Sequence, residues 1–259
     1  MKHILLTNDD GIDAHGLNLL ASVLAERDDM RISIVAPTDQ QSATSHSLTL
    51  RVPLRVVEFG NGRYGVTGTP TDCVLVAVEH ILKDDPPDLV ISGVNHGANM
   101  GEDVTYSGTV AAALEGAIMG LPSYALSCTS WHPRHWSGVE MFLRHHLDDL
   151  LAAPLDLGSL LNINIPDLPA AEILGIRVCP LGSRSYSDVI SEQKDPRGHP
   201  YLWIGGNGPS WSDRPGTDAV LNHQGYIVVT PLKVDMTHES LLHRLSGLSR
   251  DGLLGGETS

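Results

Sequence analysis

Cysteine is scarce in this sequence, and the cysteines present form no recognisable pair. Cys73, Cys128 and Cys179 lie far apart, and the sequence has no Cys-x-x-Cys motif and no Cys/His spacing typical of a zinc site. We therefore expect buried, reduced thiols and a cytoplasmic location.

Basic residues and long apolar runs are also scarce. The sequence has 17 lysines and arginines against 31 acidic residues, a formal net charge of −14. Wrapping of nucleic acid and attraction to an anionic membrane both need basic patches, so this charge disfavours both. No apolar run approaches the roughly 20 residues of a membrane-spanning helix. The first residues are not expected to be a signal peptide.

Several catalytic motifs are absent. The sequence contains no Gly-x-x-x-x-Gly-Lys-Ser/Thr loop, no Gly-x-Gly-x-x-Gly after its first strand pattern and no Gly-x-Ser-x-Gly elbow. These absences disfavour a P-loop NTPase, a dinucleotide-binding enzyme and an α/β-hydrolase. The first loop carries Asp9-Asp10 rather than Asp-x-Asp, which disfavours an aspartyl-phosphate mechanism.

The N-terminal part of the chain alternates strand and helix patterns. Strands are predicted at Ile4–Leu6, Ile32–Ala36, Leu54–Phe59, Tyr64–Val66, Leu89–Ser92, Ser123–Ser127 and Leu161–Ile165. Helices are predicted at Leu17–Leu24, Val74–Ile81, Val110–Ala117 and Val139–Leu151. This alternation predicts βαβ units and an α/β fold with a mainly parallel sheet.

The composition changes after about Pro180. Residues 183–218 are rich in Gly, Pro, Ser and Asp, with one strand pattern at Tyr201–Ile204. We expect a core at 1–180 and an extension at 181–259, whose strand 225–232 returns to the core to give one domain overall. The polar stretch is too long for an ordinary connection, so we expect a projecting hairpin exchanged between subunits. A short helix is predicted from His238, and the tail Gly252–Ser259 is expected to fray.

Polar side chains with oxygen ligands follow three predicted strands. Asp9 and Asp10 follow the first strand, Ser42 follows the second, and Asn95 follows Leu89–Ser92. The carboxyl ends of parallel strands share one sheet edge, and adjacent carboxylates are costly without a counter-charge. These ligand types suit Mg²⁺, Mn²⁺ or Ca²⁺. An ordinary turn or helix cap is the alternative.

A second candidate feature is Tyr106-Ser107-Gly108-Thr109, directly before a helix of small residues. Free N–H groups at a helix N-terminus bind phosphate, although Ser107 or Thr109 could simply cap the helix. His46 and His96 lie in the candidate loops and are left open as substrate contacts.

Eight motifs stand out when they are taken together. They are Ile4-Leu5-Leu6-Thr7-Asn8-Asp9-Asp10-Gly11, Gly68-Thr69-Pro70-Thr71-Asp72-Cys73, Gly93-Val94-Asn95-His96-Gly97-Ala98-Asn99, Tyr106-Ser107-Gly108-Thr109-Val110-Ala111-Ala112-Ala113, Leu161-Asn162-Ile163-Asn164-Ile165-Pro166, Asp195-Pro196-Arg197-Gly198, Pro215-Gly216-Thr217-Asp218 and Thr230-Pro231-Leu232-Lys233-Val234-Asp235-Met236-Thr237. In combination they resemble the SurE family, stationary-phase survival proteins with 5′/3′-nucleotidase activity. The resemblance covers nearly the whole chain.

The resemblance implies a divalent-metal-dependent phosphomonoesterase, a 5′-nucleotidase acting on nucleoside 5′- and 3′-monophosphates and in some relatives on short polyphosphate. It implies one Mg²⁺ or Mn²⁺ per subunit, held by Asp9, Asp10, Ser42 and Asn95. It also implies a three-layer Rossmann-like core and a homodimer or homotetramer built with exchanged C-terminal extensions. On this mechanism Asp9 or Asp10 takes a proton from the attacking water. The phosphoryl oxygens contact Asn8, Asn99, Ser107, Gly108 and Thr109.

One loop departs from the family pattern, and two other functions compete with the phosphatase. The family commonly has a basic residue and then Ser-Gly after the second strand, whereas this chain keeps Ser42, lacks the Arg and has Ala43. We expect an altered substrate preference, and Ala43 resists a positive φ. The competing functions are a metal-dependent amide hydrolase, which would need histidines beside Asp9 and Asp10, and a nucleotide-binding regulator without turnover.

Overall fold

A computed structural model describes residues 1–185, 190–204 and 210–248, and the tail Gly252–Ser259 lies outside these residues. The strands are β1 Lys2–Thr7, β2 Met30–Pro37, β3 Val56–Gly60, β4 Arg63–Val66, β5 Leu89–His96, β6 Ser123–Cys128, β7 Ser159–Ile165, β8 Gly175–Val178, β9 Arg184–Ser185, β10 Ile190–Lys194, β11 Pro200–Ile204, β12 Ser210–Trp211 and β13 Tyr226–Lys233. The α-helices are α1 His15–Ala25, α2 Pro70–Val76, α3 Gly108–Ile118, α4 Trp136–His145, α5 Leu147–Leu151, α6 Asp218–His223 and α7 Glu239–Leu245.

The main sheet has the strand order β3-β4-β2-β1-β5-β6-β7-β13-β8. Within this order, the six adjacent strands β4, β2, β1, β5, β6 and β7 are parallel to one another. When these six strands are numbered along the chain, their order across the sheet is 3-2-1-4-5-6, which is the strand order of the Rossmann fold. β3 is antiparallel to β4, and β13 is antiparallel to β7. The predicted α/β class with a mainly parallel sheet is confirmed.

Helices cover both faces of this sheet because its central strands are apolar on both sides. In β1, Ile4 and Leu6 pack with α1 and α4 in one cluster of buried side chains. Leu5 points to the opposite face and joins a cluster that includes Val74 of α2. Among the helices described, none has both the length and the apolar character to cross a membrane.

The strand order reverses between β1 and β5. From β1 the chain moves to β2 on one side, and it later returns to place β5 on the other side of β1. Loops that leave the carboxyl ends of two such strands diverge, which opens a crevice for a ligand. The crevice here lies between the loop that carries Asp9 and Asp10 and the loop that follows Asn95.

Some expectations about local structure differ from the structure. The strand predicted at Leu89–Ser92 continues to His96 as β5, so Asn95 lies within the strand and not after it. The single helix predicted at Val139–Leu151 is two helices, α4 and α5, separated by His146 with φ −129° and ψ −11°. The apolar spacing continues through this break, so periodicity cannot detect it. The strand pattern Tyr201–Ile204 is not isolated, because β11 pairs antiparallel with β10 to form the predicted C-terminal hairpin. β10 is exposed throughout, and Ile190 is its one apolar residue, which left no periodic pattern to predict.

Candidate active site

Asp9 and Asp10 connect three separate segments at the end of β1. Asp9 is 4% exposed, and its Oδ1 accepts a hydrogen bond of 2.6 Å from the hydroxyl of Thr109 at the start of α3. Asp10 Oδ2 accepts a hydrogen bond of 3.1 Å from the backbone N–H of His96 at the end of β5. The fold therefore brings the loop after β1, the end of β5 and the N-terminus of α3 together.

Both carboxyls have raised pKa values. Burial raises the pKa of Asp9 to about 6, with a smaller contribution from the charge of Asp10 and partial opposition from the Thr109 hydrogen bond. Burial also raises the pKa of Asp10, opposed by its hydrogen bond to His96. The hydrogen-bond donors described for these carboxylates are the Thr109 hydroxyl and backbone N–H groups, none of which is charged. A cation would supply the missing counter-charge.

The surrounding atoms fit a hard divalent cation. Asn8 is fully buried and donates its amide N–H to the carbonyl of Gly11 at 2.9 Å, and no partner within the described chain satisfies its Oδ1. Asn95 similarly donates to the carbonyl of Gly97 at 2.9 Å, so its amide oxygen is not the atom in that bond. Carboxylate and amide oxygens are the ligands that Mg²⁺ and Mn²⁺ prefer.

His96 is oriented differently from a zinc ligand beside the two carboxylates. Its backbone, not its ring, bonds to Asp10, and the ring packs edge-on against Trp136 with the ring centroids 5.3 Å apart. This arrangement does not favour the amide-hydrolase alternative, which needs imidazole nitrogens next to the Asp pair.

The Ser42 loop runs along the same site. The N–H of Gln41 donates to the carbonyl of Asp9 at 2.7 Å, and the N–H of Ser45 donates to the carbonyl of Tyr106 at 3.2 Å. Ser42 is exposed, and its hydroxyl accepts a hydrogen bond of 3.1 Å from Gln40. Ala43 has φ 58°, so this position adopts the left-handed conformation despite its Cβ.

Ala43→Gly should stabilise the protein by about 0.5–1 kcal/mol, because glycine adopts a positive φ without steric cost. Ala43 is exposed, so the substitution removes no buried contact. The measurement is the urea midpoint. The matched control is Ala21→Gly in α1, which should destabilise by about 1 kcal/mol. A loss of stability in both variants would contradict the assigned strain.

The N-terminus of α3 is capped by a side chain and lies next to Asp9. The Ser107 hydroxyl accepts the N–H of Val110 at 3.0 Å, so Ser107 does cap the helix as the alternative predicted. Thr109, predicted as a phosphate contact, is fully buried and directs its hydroxyl to Asp9. The first turn of α3 therefore lies directly against Asp9, and the N-terminus of a helix is a favourable place for an anion.

Glycine at position 108 is required by the close approach of α3 to Asp9. A Cβ there would lie 2.7 Å from Asp9 Cβ and 2.9 Å from Asp9 Oδ2. Gly108→Ala should therefore displace Asp9 and lower kcat/KM of the proposed hydrolysis about a hundredfold. Gly247→Ala is the control, since its added Cβ would meet no atom within 4 Å. Unchanged turnover in Gly108→Ala would contradict the described contact.

Asn99 is positioned by hydrogen bonds to three residues that the sequence patterns did not identify as functional. Its side-chain N–H donates to Ser127 at 2.7 Å, and its backbone N–H donates to Asn164 Oδ1 at 2.9 Å. Its carbonyl accepts from Asn162 at 2.7 Å and from Asn164 at 2.9 Å. Asn162 and Asn164 are two residues apart in the apolar strand β7, so their side chains lie on the same face of the sheet. This spacing is the sequence feature that could have indicated their role.

Asp218 ties the C-terminal part of the chain to the same loop. It is fully buried at the start of α6, where its Oδ2 accepts the N–H of Gly101 at 2.9 Å. Its Oδ1 accepts the N–H groups of Gly182 and Ala219, both at 2.7 Å. A carboxylate that binds backbone N–H groups leaves no periodic pattern, so sequence reasoning missed it.

Comparison with known proteins agrees with this geometry. The family described as "Survival protein SurE" matches residues 4–188. A protein named 5′-nucleotidase SurE from Gemmatimonas aurantiaca is 50% identical over 246 residues, covering 93% of this chain and 96% of the relative. One of the same name from Vibrio cholerae is 48% identical, covering 92% and 94%.

A solved structure shares the architecture as well as the sequence. The crystal structure of the SurE protein from Aquifex aeolicus aligns with a TM-score of 0.81 at 37% identity, covering 95% of this chain and 99% of that one. The family match, the close relatives and the shared fold all extend over the segments that meet at Asp9 and Asp10. The chain therefore belongs to the SurE family.

Proposed function

We propose that this protein is a divalent-metal-dependent 5′-nucleotidase that hydrolyses nucleoside 5′- and 3′-monophosphates, with short polyphosphate as a further substrate. The observation that carries the proposal is the Asp9–Asp10 pair, in which the buried Asp9 faces the N-terminus of α3 where the strand order reverses. The relatives' name, 5′-nucleotidase, supports the same reaction.

Asp9, Asp10, Asn95 and Ser42 would hold one Mg²⁺ or Mn²⁺. A bound divalent ion polarises phosphoryl oxygens and lowers the pKa of water. The N-terminus of α3, with Ser107, Gly108 and Thr109, would bind the phosphoryl oxygens and stabilise the developing charge. Asn8 and Asn99 complete the proposed phosphate contacts.

The proton of the attacking water would pass to Asp9 or Asp10. The raised pKa of Asp9 makes it a better proton acceptor than an exposed aspartate, whereas coordination to the cation opposes this. Ser107, whose hydroxyl caps α3, keeps the first turn of that helix in place.

Phosphate release from AMP and GMP, with and without EDTA, tests the proposal. We expect release with Mg²⁺ or Mn²⁺, loss of release in EDTA, and recovery when excess metal is restored. A panel of 3′-monophosphates and polyphosphate tests the wider substrate range. Tight nucleotide binding without phosphate release would favour the nucleotide-binding regulator. Release of acetate from an N-acetylated amine would favour the amide hydrolase.

We further infer a cytoplasmic homodimer or homotetramer built through the extension at 181–259. Leu202 and Trp203 of β11 are each 61% exposed, and Leu242 of α7 is 63% exposed, so these apolar surfaces are available for a second copy. The three cysteines are free and buried, as expected in a reducing compartment. Sedimentation as a strict monomer would contradict the subunit exchange.

A further inference from the structure

A cavity of about 370 Å³ lies beside the proposed phosphate site. It is lined by Ser107, Val110 and Leu114 of the α3 segment and by Leu232 of β13. Small-molecule sites have volumes of about 300–1,000 Å³, so this cavity is large enough for a ligand.

The cavity and the proposed phosphate site share Ser107. Ser107 caps α3, and the first turn of that helix contacts Asp9 through Thr109. A phosphate held at the helix N-terminus would therefore have the group esterified to it at the mouth of the cavity. Because α3 rises about 1.5 Å per residue, Leu114 lies about two turns from that phosphate.

The walls combine apolar area with one fixed polar group. Val110, Leu114 and Leu232 offer side chains suited to the flat face of a base. His46 also lines the cavity, and its Nε2 lies 2.7 Å from Oε2 of Glu115, which is 7% exposed. This bond fixes the imidazole and leaves its other nitrogen to bond to a ligand.

We propose that this cavity binds the nucleoside of the substrate, with the base against Leu114 and His46 hydrogen-bonded to the sugar or base. The inference rests on the proposed function, since it places the phosphate at the N-terminus of α3. It makes the cavity the part of the protein that distinguishes nucleotides from simpler phosphate esters.

Filling the cavity tests this assignment. Leu114→Trp should raise KM for AMP at least about tenfold with kcat nearly unchanged, because the lost contact is to the part of the substrate that does not react. Hydrolysis of glycerol 2-phosphate, which lacks a nucleoside, should stay within about twofold. Ile118→Trp is the matched control, one turn further along α3, half exposed and outside the cavity. It should change neither substrate.

A second variant and a direct binding measurement separate the possible failures. Met236 lines the cavity and is 84% exposed, so Met236→Trp should fold normally and reproduce the selective rise in KM for AMP. Calorimetry should show that adenosine binds the wild type at least about tenfold more tightly than Leu114→Trp. Equal affinity of the wild type and Leu114→Trp for adenosine would overturn the assignment of the pocket. An equal loss of kcat/KM for AMP and for glycerol 2-phosphate would overturn it as well. Selective adenosine binding without any phosphate release would support the pocket and contradict the nucleotidase instead.

Discussion

Asp9→Asn should lower metal-dependent phosphate release at least about a thousandfold, a loss of about 4 kcal/mol of transition-state stabilisation. The substitution keeps an oxygen that can accept the Thr109 hydroxyl, so the local hydrogen bond and the fold should persist. It removes one of the two charges proposed to hold the cation. The measurement is kcat/KM for AMP with saturating Mg²⁺ or Mn²⁺.

The same variant should be more stable than the wild type when the metal is removed. Because burial raises the pKa of Asp9 from 3.8 to about 6, the folded protein binds the proton more tightly than the unfolded chain does. Wild-type stability in EDTA therefore falls as the pH rises from about 4 to about 6, and the full penalty remains above that range. Asparagine does not ionise, so the variant should gain on the order of 3 kcal/mol at pH 8 and almost nothing below pH 4.

Asp13→Asn provides the control for both measurements, since Asp13 is an exposed aspartate close by in the same segment. It should leave both turnover and stability unchanged. Near-normal turnover of Asp9→Asn would refute its role in the site. Equal stability of Asp9→Asn and the wild type at pH 8 in EDTA would refute the burial cost.

Asp218→Ala should destabilise the protein by about 3–5 kcal/mol. The substitution leaves the N–H groups of Gly101, Gly182 and Ala219 without their carboxylate acceptor, and each buried unsatisfied donor costs about 1–3 kcal/mol. The urea midpoint measures the loss. Activity should fall as well, because Gly101 follows directly on the loop after β5 that carries Asn99.

The exposed Asp213 near α6 supplies the matched control. Asp213→Ala should change stability by less than about 0.5 kcal/mol. Asp218→Asn retains one acceptor oxygen but presents an amide N–H to the remaining donors, so its stability should fall between Asp218→Ala and the wild type. If Asp218→Ala were no less stable than Asp213→Ala, the buried network would not be holding these segments together.

The central sheet could be predicted from sequence because buried parallel strands and their crossover helices have strong, separate periodicities. Ile4–Leu6 and Leu89–Ser92 read as apolar strands, and the polar residues directly after them fall at one sheet edge for topological reasons. Asp9 and Asp10 are close to α3 in the structure for the same reason. Their roles as metal ligands stay a prediction, as do those of Ser42 and Asn95.

The contacts that hold these residues in place could not be predicted in this way. Thr109 bonds to Asp9 across 100 positions of sequence, and Asn164 reaches Asn99 across 65. Such bonds depend on which side chains meet after folding, not on spacing along one element. The break at His146 escaped prediction for the opposite reason, since the apolar pattern of the helix continues beyond it.

The position of β13 sets a condition on synthesis of the protein. β13 hydrogen-bonds to β7 on one side and to β8 on the other, although both partners are made earlier in the chain. Until residues 226–233 have been translated, β7 has an open edge whose N–H and C=O groups can pair with another nascent chain. A ribosome that stalls shortly before this segment would therefore release a product prone to aggregation, even though every residue around Asp9 had already been made.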